Sequence, residues 1–190
     1  MKFTSMHYSV RSLVLVGLMS VFTLNSAHAQ RGQLSGSSGG SDAIARFVMN
    51  FGRFIDWPES AFPAAGSDLK VCILGENQLG RSMDQIVNGK KAGDRSMAVS
   101  TLAGTDLAGA KTCHIVFVSA SETARAAEVT AALQGSPVLT VSEIVNFGGN
   151  GGMISLSGER GDAVAIRMNR GLIDGAGLNV REQLMRAIQQ

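Results

Sequence analysis

Three short runs that are apolar over most of their length place the strongest limit on what this 190-residue chain can fold into. They are LKVCILG (69–75), HIVFVS (114–119) and PVLTVS (137–142). A strand with one face in water alternates apolar and polar residues, whereas runs like these indicate strands buried on both faces. A fourth run, SMAVSTL (96–102), also predicts a strand. The chain therefore needs a sheet that is covered on each side.

Helical patterns separate these strands. The first helix begins at Asp42, which can cap it, and ends at Pro58. A short helix around Met83 follows the first strand, and SETARAAEVTAALQG (121–135) predicts a longer one. The apolar stripe of the first helix recurs at helical spacing and consists of Ile44, Phe47, Val48, Phe51, Phe54 and Ile55.

The pattern changes near the end of the chain. GMISLSG (152–158) and DAVAIRMN (162–169) are short strands separated by a polar, glycine-containing turn, which predicts a hairpin. A last amphipathic helix carries apolar residues from Leu172 to Ile188. This order of elements indicates the α/β class. We expect a three-layer sandwich with a mostly parallel sheet, an antiparallel edge hairpin and flanking helices.

Residues 1–29 have the organisation of a cleavable signal peptide. A basic start precedes an uncharged apolar core over residues 12–24, and Ala27 and Ala29 occupy the small-residue positions of a signal-peptidase site. The core is about 13 residues long, short of the roughly 20 that a membrane-spanning helix needs. We therefore expect export to the periplasm.

Removal of this leader changes the charge of the chain. The formal net charge of +2 is accounted for by Lys2 and Arg11, so the mature chain from Gln30 has a net charge of zero. Without clustered lysine and arginine, we predict no nucleic-acid partner. The Gly/Ser-rich residues 30–41 predict a flexible linker, and residues 42–190 suit a single domain.

Cys72 and Cys113 are the two cysteines of the chain. In an exported protein such a pair favours a disulfide, with two buried reduced thiols as the alternative. The bridge would close roughly 42 residues, which the chain-entropy relation makes worth about 4 kcal/mol. His114 is the single histidine after the leader, and we predict no metal site. A lone histidine that opens a buried strand is more typical of a structural residue than of a catalytic base.

Catalytic motifs are incomplete. GENQLGRS (75–82) follows a strand and matches a phosphate-binding loop, except that Arg81 stands at the lysine position. We interpret it as a strand-to-helix turn. The chain contains no nucleophile elbow, and Glu143, Glu159 and Asp162 lie in separate loops. We predict neither a cofactor nor enzymatic activity.

The stretch VNFGGNGGMISLSG (145–158) concentrates glycines, which in other proteins form cofactor loops. Such loops lead from a strand into a helix. Here Gly149, Gly151 and Gly152 precede strand-like residues, and Ile154 stands where a dinucleotide motif has its third glycine. We therefore predict a mobile connector between two strands rather than a cofactor site.

Several blocks in order resemble the YfiR-like family, over about residues 42–188. They are FVMNFGRFIDWP, KVCILGENQLG, CHIVFVS, PVLTVSEIVNFGGNGGMISL and GLNVREQLMRAI. The family consists of exported bacterial proteins that inhibit a membrane-bound diguanylate cyclase of the YfiN type. The resemblance implies an α/β sandwich that binds the periplasmic sensory domain of the cyclase, and it is compatible with a homodimer. It places the family's core cysteine pair on Cys72 and Cys113, whereas a second pair found in some relatives is replaced here by glycines and Asn150.

The resemblance and the composition together suggest where a partner binds. Trp57, the only tryptophan, either packs in the core or anchors a ligand or partner. We expect an exposed apolar patch beside flexible backbone, and the candidates for it are Trp57, the glycine-rich connector and the edge hairpin. The connector contributes Phe147, Gly149, Gly151, Gly152 and Met153. The expected function is repression of cyclic di-GMP synthesis, and the alternative is a periplasmic module that binds a small molecule.

Overall fold

The computed structural model describes residues 33–158 and 164–188. The predicted signal peptide and most of the predicted hairpin turn lie outside these residues. The helices are α1 Ser38–Phe54, α2 Arg81–Ile86, α3 Leu107–Ala110, α4 Ala126–Leu133, α5 Arg170–Gly175 and α6 Glu182–Ile188. The strands are β1 Ile55–Asp56, β2 Leu69–Leu74, β3 Lys91–Ala92, β4 Arg95–Leu102, β5 Ile115–Val118, β6 Leu139–Ser142, β7 Ile154–Gly158, β8 Val164–Met168 and β9 Asn179–Val180.

Seven of these strands form one mixed sheet in the order β3-β4-β2-β5-β6-β7-β8. The inner pairings β4·β2, β2·β5, β5·β6 and β6·β7 are parallel, and the pairings at both edges, β3·β4 and β7·β8, are antiparallel. The sheet curls into a half-barrel. The α/β class and the antiparallel hairpin are confirmed, and the finer description as a three-layer sandwich with a mostly parallel sheet stays a prediction.

The central strands are buried on both faces over most of their length, as their largely apolar runs predicted. In β5, Ile115 and Phe117 point into a first core cluster, whereas Val116 and Val118 point into a second. The first cluster includes α1, α2, α5 and α6, and the second includes α3 and α4. Polar side chains therefore gather where the strands end.

A disulfide joins Cys72 in β2 to Cys113, two residues before β5. The Cα atoms of the two cysteines are 6.1 Å apart, within the range of an ordinary disulfide. Both cysteines are buried in the second cluster. The predicted bridge is confirmed, and the alternative of two reduced thiols is wrong.

The first helix starts earlier than predicted. Helix α1 begins at Ser38, and the Oγ of Ser37 caps it by accepting the Gly40 N–H at 3.1 Å. Asp42 lies inside the helix and accepts a hydrogen bond from the Ser82 hydroxyl at 2.6 Å. Residues 38–41, assigned above to a flexible linker, are therefore helical. Ser37 caps the helix, and Gly40 lets the helix lie close to the backbone of Leu34.

The last amphipathic pattern is two helices, not one. Helix α5 ends at Gly175, and Gly177 adopts a left-handed φ of +73°, which stops the helix. The chain then forms β9, which pairs with β1, before α6 begins at Glu182. The helical spacing of apolar residues continues across this break, so the sequence pattern does not reveal that the helix ends there. Among the described residues, no helix is both long and apolar enough to cross a membrane.

The disulfide yields a stability prediction. Reducing agent should lower the free energy of unfolding of the wild-type protein by about 4 kcal/mol, because the reduced chain regains loop entropy when unfolded. The measurement is urea denaturation with and without reductant. The double variant Cys72→Ala/Cys113→Ala is the control, and its unfolding should not respond to reductant. A wild-type midpoint that reductant leaves unchanged would contradict the prediction.

Candidate functional site

The candidate site lies at the carboxyl end of the sheet and is built around the connector (residues 143–153), which joins β6 to the parallel strand β7. The strand-to-strand connection is confirmed. The connector is a series of hydrogen-bonded turns: the Phe147 N–H donates to the Ile144 carbonyl at 3.1 Å, and the Gly152 N–H donates to the Phe147 carbonyl at 2.9 Å. The Met153 N–H donates to the Thr140 Oγ1 at 3.0 Å. These bonds hold the connector against the sheet.

The connector buries the two apolar residues that were expected to be exposed. Phe147 is 0% exposed within the second cluster, and Met153 is 6% exposed within the first. A Cβ on Gly152 would overlap the Phe147 ring. The prediction of an exposed patch at Phe147 and Met153 is therefore wrong, because the glycine admits the aromatic ring instead of loosening the backbone.

Val145 is the residue that the connector exposes. It is 83% exposed and is the one large hydrophobic side chain in the described ranges that is so open to solvent. The neighbouring Ile144 and Phe147, three residues apart, both point inward and leave Val145 on the outer side of the turn. The three-residue spacing of Ile144 and Phe147 is visible in the sequence. The neighbouring glycines favoured the interpretation as a mobile connector instead.

A cavity of about 510 Å³ opens beside Val145. Its walls come from the connector, from β7 and β8, and from an N-terminal strap (residues 33–37). Apolar side chains line it together with one carboxylate and one guanidinium; they include Leu34, Glu143, Val145, Leu156, Arg167 and Met168. The structure thus brings the connector and the two strands of the edge hairpin to one cavity.

The strap is held by polar contacts that sequence reasoning missed. The backbone N–H of Ser35 donates to the Glu143 carboxylate at 3.0 Å, and the Ser35 hydroxyl also donates to that carboxylate. The side-chain amide of Gln33 donates to Gln78 Oε1 at 2.7 Å. Glu143 and Gln78 follow β6 and β2, so the strap crosses the carboxyl ends of the central strands. These contacts join distant segments and leave no periodic signal in the sequence.

Trp57 lies at the opposite, amino-terminal end of the sheet. Its indole N–H donates to the carbonyl of His114, the residue before β5, at 3.2 Å. The Phe62 ring stacks on the His114 ring with centroids 4.3 Å apart, and the Arg95 guanidinium lies 3.6 Å from the Phe62 centroid. Trp57 is half-buried against the first cluster. Trp57 therefore lies away from the connector, and the buried part of its ring packs against the core.

The catalytic candidates are not brought together. His114 lies at the amino-terminal end of the sheet, and its Nδ1 accepts the Lys70 N–H at 2.9 Å. Burial lowers the pKa of His114 to about 4, and the charges of Lys70 and Arg95 act in the same direction, while the Ala61 carbonyl opposes them. Glu143 lies at the other end, bound to the strap. Glu159 and Asp162 lie outside the described residues.

The phosphate-loop-like stretch is a strand-to-helix turn, as predicted. It runs from the end of β2 to α2, a helix of six residues. The space beside it is filled by the Glu122 carboxylate, which packs against Gly75 and Gly104 and pairs with Arg125 at 3.1 Å. In the described part of the chain, no three His, Cys, Asp or Glu side chains group closely enough to hold a metal ion.

The packing of Phe147 against Gly152 yields a second prediction. Gly152→Ala should lower the free energy of unfolding by roughly 1–3 kcal/mol, because the added methyl group overpacks the aromatic ring. Gly148→Ala is the matched control: its Cβ would meet only Ser155 Oγ at 3.5 Å, and we expect it to be neutral or stabilising by up to about 1 kcal/mol. Urea denaturation measures both, and equal effects would contradict the prediction.

The neutral state of His114 yields a pH prediction. A histidine whose folded pKa lies below its unfolded value of 6.5 stabilises the fold above that pH, and the stability is lost as the pH falls towards about 4. The loss should reach about 3 kcal/mol. His114→Asn can still accept the Lys70 N–H and is the control. Between pH 7 and 4, the free energy of unfolding should fall less for His114→Asn than for the wild type, by this amount. Equal falls in the two proteins would contradict the prediction.

Comparison with known proteins identifies the family of this chain. No curated protein matches the chain. The YfiR/HmsC-like family model matches residues 41–187, which include the disulfide, Trp57, the connector and the edge hairpin. This match covers most of the 190 residues, so the chain belongs to the YfiR/HmsC-like family.

Proposed function

We propose that this protein is exported to the periplasm, binds the periplasmic sensory domain of a membrane-bound diguanylate cyclase, and represses cyclic di-GMP synthesis. Membership of the YfiR/HmsC-like family carries the proposal, because it supports a periplasmic regulator of cyclic di-GMP signalling. The predicted signal peptide, residues 1–29, and the disulfide favour the same compartment. The protein acts in this proposal by binding rather than by catalysis.

The connector face is the binding surface in this proposal. It combines an exposed apolar side chain, Val145, with the rim of the cavity and the adjacent hairpin. An exposed apolar group on ordered backbone gains affinity because little conformational freedom is lost on binding. Gly149, Gly151 and Gly152 shape this face, and Trp57, at the other end of the sheet, belongs to a second surface of lower priority.

Inhibition requires a difference in affinity between two states of the cyclase. A bound regulator shifts an equilibrium only by the ratio of its affinities for the two states. Near-complete repression therefore needs a preference of about 5 kcal/mol for the inactive conformation. A few desolvated contacts around a central apolar anchor can provide free energies of that size.

A second function, binding of a small molecule, is favoured by one observation. The cavity of about 510 Å³ falls within the size range of small-molecule pockets, roughly 300–1,000 Å³. Its lining combines apolar side chains with Glu143 and Arg167. A ligand there would contact the connector that carries Val145, and so could alter partner binding through the same segment.

Substitution of Val145 tests the proposed function. Val145→Asp should weaken binding of the cyclase sensory domain at least about tenfold, because a charge replaces an apolar anchor, and should raise cellular cyclic di-GMP. Thermal stability should stay unchanged, since Val145 is exposed. Binding is measured by titration of purified sensory domains from the same organism, and cyclic di-GMP by mass spectrometry.

The control variant is Ala65→Asp. Ala65 is also exposed, but it lies in the loop before β2, at the amino-terminal end of the sheet. The Ala65→Asp variant introduces the same charge far from the connector. It should therefore bind the sensory domain and repress cyclic di-GMP synthesis as the wild type does. Wild-type binding by Val145→Asp would place the partner surface elsewhere, and failure of the wild type to bind any such domain would overturn the proposed function itself.

A further inference from the structure

Two Asn–Gly pairs occur in this chain, Asn88–Gly89 and Asn150–Gly151. An asparagine that precedes a glycine can lose its side-chain amide without an enzyme. Glycine has no Cβ, so its backbone nitrogen can approach the side-chain carbonyl carbon of the asparagine closely. In a folded protein this approach requires the local backbone to open, and hydrogen bonds to the pair oppose the opening. The structure therefore decides which pair reacts.

Strand β4 holds the Asn88–Gly89 pair from outside its own turn. The side-chain Oδ1 of Asn88 accepts the Val99 N–H at 3.1 Å, and the Gly89 N–H donates to the Met97 carbonyl at 2.8 Å. Both the side-chain carbonyl that would be attacked and the nitrogen that would attack it are thus bonded to a strand of the sheet. Opening of this pair requires that it detach from the sheet.

The Asn150–Gly151 pair is held mainly within the connector. The Asn150 N–H donates to the Phe147 carbonyl at 3.1 Å, and the Gly151 N–H donates to the Gly148 carbonyl at 3.2 Å. The Asn150 carbonyl accepts the hydroxyl of Thr130, which belongs to α4. All hydrogen bonds that Asn150 makes with the described residues involve its backbone, so none of them holds its side-chain amide.

We propose that Asn150 is a site of spontaneous deamidation in the folded protein, whereas Asn88 is protected. The backbone nitrogen of Gly151 forms a bond to Cγ of Asn150, the Cγ–Nδ2 bond breaks, and ammonia leaves with the proton of the Gly151 N–H. Water then opens the resulting succinimide ring at one of its two carbonyl carbons, which yields an aspartate or an isoaspartate. Water is the only other reactant, and the inference does not depend on the proposed cyclase partner.

Exposure alone would favour the other asparagine. Asn88 is exposed and Asn150 is half-buried, so a reaction limited by contact with water would be faster at Asn88. Control by local opening reverses the order, because a turn held mostly by its own hydrogen bonds opens more easily than one bonded to the sheet. The order of the two rates therefore distinguishes the two kinds of control.

Each product changes the connector. An aspartate at position 150 adds one negative charge. An isoaspartate also adds a negative charge, and it lengthens the main chain by one carbon because the chain then runs through the former side chain. The carbonyl that now accepts the Thr130 hydroxyl becomes a carboxylate in that product. The hydrogen bonding that orders the connector is therefore expected to change as the protein ages.

Peptide mapping of the purified protein, aged at neutral pH, tests the proposal. Trypsin places the two asparagines in separate peptides, residues 82–90 and 126–160. Mass spectrometry follows the replacement of amide by acid in each peptide, and fragmentation separates Asn150 from Asn146. Conversion at Asn150 should be at least about tenfold faster than at Asn88, which corresponds to about 1.4 kcal/mol in the barrier. In urea-unfolded protein the two rates should become nearly equal, because only the Asn–Gly sequence then matters.

Asn150→Gln is the matched variant, because the longer glutamine side chain closes the corresponding ring much more slowly. Isoelectric focusing of the aged Asn150→Gln protein should lack the main acidic species of the aged wild type, and Asn88→Gln should retain it. The comparison of rates uses the wild type alone, so it does not depend on how well either variant folds. Equal rates in the folded protein, a faster reaction at Asn88, or no conversion at Asn150 would overturn the proposal.

Discussion

Burial of the central strands on both faces is the constraint on which the rest of this structure depends. In β2 and β5, successive side chains enter two different core clusters, and the disulfide joins these strands within the second. Such strands leave little room for polar side chains in the body of the sheet. Apart from Thr140 in β6, which accepts the Met153 N–H, the polar contacts of the candidate site described above lie at the strand ends.

The two ends of the sheet have different characters. At the amino-terminal end, Trp57, Phe62 and His114 pack on one another, and burial keeps the imidazole neutral. At the carboxyl end, the turns of the connector bury Phe147 and expose Val145 beside a cavity. The first end is a packed cluster that stabilises the fold. The second combines an exposed apolar side chain with a cavity, and the proposed binding surface rests on that combination.

Sequence patterns predicted most of the sheet and less of the site, for physical reasons that particular residues show. Largely apolar runs identified β2, β5 and β6, because a strand buried on both faces carries apolar side chains at most of its positions. Gly152 was misinterpreted, since a glycine that makes room for an aromatic ring looks the same in sequence as one that loosens a loop. Gly177 was missed because the apolar spacing continues across the break it makes. The contact of Ser35 with Glu143 joins residues 108 positions apart, and no local pattern encodes it.

The cavity ties these distant segments together. Its walls come from the strap, the connector and the edge hairpin, so anything that enters it touches the backbone that carries Val145 and the strand that carries Arg167. Glu143 fixes the strap to the connector, and Arg167 of β8 lines the same cavity. A ligand in the cavity and a partner at Val145 would therefore act on one set of contacts. By linkage, each would change the affinity for the other by the same factor.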